Sequence, residues 1–354
     1  MYSILFFLLC LTLGGCTQEY NKTVTNKNST MNESIELGFV GDVMLGRLTN
    51  EIIQQKGPRS IWGTMLPLLQ SCDCVIANLE TALTRSTTAV PKVFNFKADP
   101  NVVDALSLAH ICAVNNANNH ILDFDVEGLR ETIQTLNDAS IAHVGAGENI
   151  SEAQKPAYIT INNTRIAHIG ITDNEPTWHA TDTKPGTYYC DMSTAACAKV
   201  ADHIKKIRAD VDMLIISVHW GSNWATKPPE NFISCAHAWI DAGADIIHGH
   251  SAHIFQGIEL YNNKIIMYGL GDFIDDYAID ETMRNDYAIL AKLSIRNKKM
   301  HTLTIYPAII ESMHVNVPSA SDSAIILERI KNLSAENGAP FSITHNTLVL
   351  HILN

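Results

Sequence analysis

Asp42, Glu80, Asn119 with His120, His219, and His250 with His253 each stand where an apolar run of the chain gives out. Carboxylate oxygen, amide oxygen and imidazole nitrogen together form a donor set suited to Mn, Zn, Fe or Mg. An ion held in this way lowers the pKa of a bound water until it becomes a nucleophile. Any one of these residues alone is commonly a structural histidine or a turn aspartate. Their recurrence after five successive runs is the signal, because reactive groups of open α/β sheets collect at the carboxyl ends of the strands. The segment Ala244–Tyr277 carries the densest part of it. Ala244–Ile247 reads as a buried strand that stops at His248-Gly249-His250-Ser251-Ala252-His253. Ile258–Tyr261 and Lys264–Tyr268 then form a hairpin around Asn262-Asn263, since Asn tolerates the positive φ of such turns. Gly271-Asp272-Phe273 returns polar groups to the same region.

The elements that must position these groups alternate along the chain. Strands are predicted at Ile35–Val40, Cys74–Ala77, Ile111–Val114, Ile141–Val144, Ala157–Ile161, Arg165–Ile171 and Met213–Val218. Helices are predicted at Thr49–Lys56, Pro100–Leu108 behind an Asp99 N-cap, Val126–Ala139, Ala195–Ala209 and Asn231–Asp241. A second hairpin, Ala288–Ile295 with Met300–Ile309, a helix at Ala324–Leu333 and a strand at Thr347–Leu353 complete the chain. Thr172–Thr194, with Asp173, Glu175, Trp178 and His179, has no periodicity and is a candidate lid. No repeat or second linker interrupts the order, so residues 34–354 are expected to be one α/β domain.

Composition bounds the function. With 46% hydrophobic residues and a formal charge of −12, a large core is expected and broad nucleic-acid binding is not. Residues 1–16 form a short apolar run ending Leu13-Gly14-Gly15-Cys16, which reads as an export signal and resembles a lipobox with lipid on Cys16. Residues 17–33 are rich in Thr, Asn, Lys and Ser and read as a flexible tether. An exported chain permits disulfides without requiring them, and Cys190–Cys197 is the pair to test for a bridge. Cys72 and Cys74 are expected to be small buried residues, since no second pair completes a zinc site.

The ordered motifs resemble a known family. Gly41-Asp42-Val43-Met44-Leu45-Gly46-Arg47, Asn78-Leu79-Glu80, Asn118-Asn119-His120 with Asp123, Gly145-Ala146-Gly147, His219-Trp220-Gly221, Gly249-His250-Ser251-Ala252-His253 and Gly271-Asp272-Phe273 look like those of the CapA capsule-synthesis (poly-γ-glutamate synthesis) family. That family is similar to the calcineurin-like metallophosphoesterases, which implies a four-layer α/β/β/α sandwich of two mixed sheets flanked by helices. The resemblance implies Asp42, Glu80, Asn119, His219 and at least one of His250 and His253 as metal ligands. It also implies His120, held by Asp123, as the general acid, a role that imidazole suits near neutral pH. Arg47, Asn78, Lys97 and Trp220 are candidates to contact substrate, with Trp178 and Trp224 as further parts of an apolar wall. Met44 stands where the calcineurin-like enzymes commonly carry a histidine, so one ion, or one tight and one weak, is expected.

The function so implied is a surface hydrolase or transferase in capsule or poly-γ-glutamate synthesis, transfer or release. Its partners would be an anionic polymer and membrane synthase subunits. The alternatives are a phosphatase or phosphodiesterase on a phosphorylated small substrate, and a non-catalytic binder of polymer or synthase.

Overall fold

The computed structural model describes residues 34–352 and the dipeptide Glu19-Tyr20. The export signal with Cys16, and the rest of the segment read as a tether, lie outside the described residues. Two large sheets, of seven and ten strands, pack face to face. The seven-stranded sheet is centred on three parallel strands, Thr164–Thr172, Met213–His219 and Ile246–His250. It ends in the predicted hairpin Ile258–Tyr261/Lys264–Met267. At its other side Ala157–Ile161 pairs antiparallel with Thr164–Thr172, and Glu19-Tyr20 pairs parallel with Ala157–Ile161. The ten-stranded sheet sets parallel strands Ser34–Val43, Cys74–Leu79, Ile111–Asn115 and Ala142–Val144 beside the antiparallel pair Tyr287–Arg296/Lys299–Glu311.

Because both faces of each sheet are covered, the central strands are continuous apolar runs rather than alternating ones. Phe39, Ile76 and Ala113 of one sheet meet Ile159, Ile215 and Ile246 of the other in the middle of the sandwich. Helices Thr194–Arg208 and Glu230–Asp241 cover the outer face of the seven-stranded sheet, burying Ile204 and Trp239 against Leu214 and Ile247. Helices Arg47–Lys56, Leu66–Gln70, Val103–Leu108 and Asp125–Asp138 cover the other. Ala320–Glu336 inserts Ile326, Leu327 and Ile330 into the central core. This is the expected α/β/β/α order.

Three expectations change. The strand predicted to stop at His248 runs on through His250, because its pairing with Met213–His219 continues to His219↔His250. The segment expected to be a lid is pinned down. Ile150 and Cys190 donate backbone hydrogen bonds to Thr181 and Thr172, Gly186-Thr187 pairs with Ala146-Gly147, and Gly221 N donates to Asp173 at 3.0 Å. The cysteines pair otherwise than expected. Cys74–Cys112 ties two neighbouring parallel strands and Cys197–Cys235 ties the two outer helices, while Cys72 and Cys190 are buried thiols. Sequence proximity favoured Cys190–Cys197, but Cys197 lies on a helix face turned towards Cys235.

A non-reducing peptide map is therefore expected to yield Cys74–Cys112 and Cys197–Cys235 linked peptides, with Cys72 and Cys190 alkylated only after unfolding. Each bridge closes 38 residues, so Cys197→Ala with Cys235→Ala is expected to cost about 3–4 kcal/mol in denaturant unfolding. A Cys190–Cys197 peptide in the map would contradict this pairing.

Candidate metal centre

Strand register brings the polar groups together. Asp42 pairs with Asn78 on one side and with Asp272 on the other, all in parallel strands. In the facing sheet His219 pairs with His250. Gly41 is what lets the strand Asp272–Ile274 close on Ser34–Val43. A Cβ at Gly41 would lie 1.8 Å from the Gly271 carbonyl oxygen, the atom to which Asp42 N donates at 2.9 Å. The sheets thus deliver carboxylates from one side and imidazoles from the other to the carboxyl ends of their strands.

Two ligand groups result. Asp42, His219 and His250 offer one donor atom each, and Asp42, Glu80, His253 and Asp272 offer another set, the atoms of each group lying within 4.8 Å of one another. Asp42 belongs to both. All six residues are at most 7% exposed. His219 Nδ1 and His250 Nδ1 stand 3.0 Å apart, and they lie 3.8 and 3.9 Å from Asp42 Oδ1. His253 Nδ1 is 2.8 Å from Asp272 Oδ1.

The residues fit a resident divalent cation. Among the described residues both Glu80 carboxylate oxygens, Asp272 Oδ2, His250 Nε2 and Asn119 Oδ1 are buried without a hydrogen-bond partner. Leaving one such atom unmet costs about 1–3 kcal/mol, more for a charged group. An ion would satisfy several at once. Burial also pushes the Asp42 carboxyl up to about 6 and holds those of Glu80 and Asp272 well above their ordinary value, while it drives the His219 and His250 imidazoles well below theirs. Desolvation opposes charge on these five groups, and a cation between the donors would favour the ionised carboxylates while keeping the two imidazoles neutral. Two groups with a shared carboxylate offer places for one ion or two, within the expectation drawn from Met44 of one ion, or one tight and one weak.

Asn78, expected at the substrate, instead positions the ligands. It is fully buried; its Nδ2 donates to Asp42 Oδ1 at 2.8 Å and lies 3.2 Å from His219 Nδ1, and its Oδ1 accepts from Asn115 and Asn118. Trp220 is likewise reassigned. Successive strand residues face opposite ways, so with His219 turned inward Trp220 points to the outer helices, stacking on Phe232 and Trp239 at 4.8 and 6.0 Å. Lys97 does not line the cavity: its ammonium donates to the Ser86 carbonyl at 2.7 Å and lies over Phe124.

A cavity of about 900 Å³ opens beside the cluster, with Asn119, His120 and His253 in its wall. His120 stacks on Phe96 at 3.9 Å, and its Nδ1–H donates to Asp123 Oδ2 at 2.5 Å. Its Nε2 lies 3.8 Å from Glu80 Oε1. Burial draws the His120 pKa down to about 4, so near neutral pH the ring is uncharged, with its proton on the Nδ1 that faces Asp123. Phe96 N fixes Asp123 at 2.6 Å, and Lys92 Nζ lies 2.9 Å from its other oxygen. Arg47 also lines the cavity, but its Nε and Nη2 are spent on Asp276. Asp272 and Lys92 were missed as site residues. The glycine before Asp272 and the hairpin ahead of it were a usable signal, whereas Lys92 sits in an aperiodic stretch that offers none.

Two mixed sheets between helices, with oxygen and nitrogen ligands gathered where the parallel strands end, define a metallophosphoesterase-like fold. Residues 36–277 match the family described as bacterial capsule synthesis protein PGA_cap, and the chain belongs to that family. It is 31% identical over 349 residues to the "Probable polyglutamine synthesis accessory protein" of Mycobacterium tuberculosis, covering 84% of this chain and 90% of that one. It is 31% identical to "Capsule biosynthesis protein CapA" of Bacillus anthracis, over 69% of this chain and 61% of the relative. With "PGA biosynthesis protein CapA" of Bacillus subtilis it shares 30% identity over 72% of this chain and 67% of the relative.

Protein purified without chelator is expected to carry divalent metal by elemental mass spectrometry. Asp42→Asn removes the donor common to both groups and is expected to lose all of it, while His250→Ala and Asp272→Asn each affect one group. Full metal content in Asp42→Asn would count against the arrangement.

Proposed function

We propose that this chain is an exported, metal-dependent hydrolase or transferase acting in the synthesis, transfer or release of capsule polymer. The supporting observation is the pair of ligand groups sharing Asp42, with buried donors left unmet beside a cavity that His120 also lines. The relatives named for capsule, PGA and polyglutamine synthesis support the process. Anchoring through lipid on Cys16, near membrane synthase subunits, belongs to the same reading. Among the described residues no helix is long and apolar enough to cross a membrane.

Asp42, Glu80, His219, His250, His253 and Asp272 would hold the ions, with Asn119 Oδ1 a further donor. When bound, a divalent cation supplies Lewis acidity and a nucleophile at neutral pH. This chain's own residues do the rest. Asn78 orients Asp42 and His219, Asp123 fixes the tautomer and direction of His120, and Phe96 holds the imidazole plane. His120 Nε2 then exchanges a proton with the attacking or leaving group.

Phosphate-ester hydrolysis is the second reading, favoured by the metallophosphoesterase-like fold. One assay separates these activities and the non-catalytic alternative. Manganese-loaded protein is supplied in turn with an aryl phosphate ester and with γ-linked polyglutamate. His120→Ala is expected to lower kcat about 10²–10⁴-fold on whichever is turned over, with metal content unchanged. Metal bound without turnover of either substrate would leave the binder reading; full activity in His120→Ala would refute the assigned proton transfer.

A further inference from the structure

The mouth of the cavity is apolar on two sides. Val93 and Phe94, from the aperiodic stretch that precedes Lys97-Ala98, are 90% and 59% exposed, and Trp224, from the loop after His219, is 40% exposed. All three line the cavity. These loops are more than a hundred residues apart in sequence, so their convergence comes from the fold, not from local composition. Trp224 is held in a left-handed backbone conformation, φ 67°, by its N–H donating to Ala252 O at 2.9 Å. That conformation is costly for a tryptophan and sets its ring 6.1 Å from His253.

The cations at the same mouth are already neutralised. Arg47 is paired with Asp276, and its guanidinium carbon lies over Phe96 and Tyr277, at 4.7 and 5.4 Å from their ring centres. Lys92 is paired with Asp123 at 2.9 Å and with Glu175 at 3.7 Å, and it sits over Trp178. Two cations thus face the three carboxylates of Asp276, Asp123 and Glu175. Among the described residues lining the mouth, a row of free carboxylates entering here would meet no spare cationic side chain. A flat or apolar group would cover exposed rings and displace water from them.

We infer that the substrate part seated in this mouth is an uncharged flat or apolar group, joined to a single anionic group that reaches the metal ligands. The inference rests on the metal-dependent reading above and narrows it: the reacting end that enters the cavity is not a run of free glutamate side chains. A cavity of about 900 Å³ has room for one such group beside the reactive one.

Calorimetric titration of the manganese-loaded protein with methylphosphonate, phenylphosphonate and a γ-linked glutamate oligomer tests it. Phenylphosphonate is expected to bind about tenfold or more tighter than methylphosphonate. The double variant Phe94→Ser, Trp224→Ser is expected to shrink that gap to about threefold or less while leaving methylphosphonate affinity in place. Equal affinity for the two phosphonates, an undiminished gap in the double variant, or tightest binding of the oligomer would overturn the inference and leave the metal-dependent reading standing. If none of the three ligands binds the loaded protein, the metal-dependent reading itself fails and this inference falls with it.

Discussion

Asp42, Glu80 and Asp272 are three carboxylates buried side by side at the end of a hydrophobic sandwich, and among the described residues no group neutralises all of them. Concentrated like charge of this kind is among the most expensive arrangements a fold can contain. In an isolated apolar setting the groups take up protons rather than remain ionised. The imidazoles of His219 and His250 are driven towards neutrality by the same burial. The cluster is therefore poised between a costly protonated form and a form completed by a cation. Its assembly from six residues on five strands and their adjoining loops, with His250 and His253 at the same strand end, is the constraint around which the other features are arranged.

The fold meets that constraint with stiffness. Parallel pairing fixes Asp42 between Asn78 and Asp272, and fixes His219 beside His250, before any side chain is considered. Rigid first contacts are then supported from behind by Asn78 on Asp42 and His219, Asp123 on His120, and Ser251 N on Asp42 Oδ2. Deeper in the sandwich His248 continues the polar column, with Nε2 donating to the Val40 carbonyl and Nδ1 accepting from Ser217. Such supporting contacts tune ligand basicity and orientation as much as the ligands themselves do. Pinning of Thr172–Thr194 adds to this, because Glu175 and Trp178 then form fixed walls near Lys92 in place of a moving cover.

Legibility in the sequence followed a simple physical division. Long apolar runs reveal parallel strands buried on both faces, so the positions just beyond them, Asp42, Glu80, His219 and His250, could be read as a site. Asp272 escaped assignment because its strand has only three residues and owes its place to pairing with Ser34–Val43. Trp220 was misassigned by adjacency, although the two-residue strand period already turned it away from His219. Lys97 and Lys92 could not be told apart, since which ammonium reaches the cavity depends on the path of an aperiodic loop. The disulfides were illegible for a related reason: both join residues 38 apart that meet only after strands or helices pack. The short helices at Ser60–Gln70 were missed because neither is long enough to show a period.

The central claim is that the six ligands converge on cations. Diffraction from crystals grown with manganese, collected at the metal absorption edge, addresses it directly. The expected result is two anomalous peaks about 3.5–4 Å apart with Asp42 between them. No peak at Asp42, or manganese bound only elsewhere on the surface, would contradict the account.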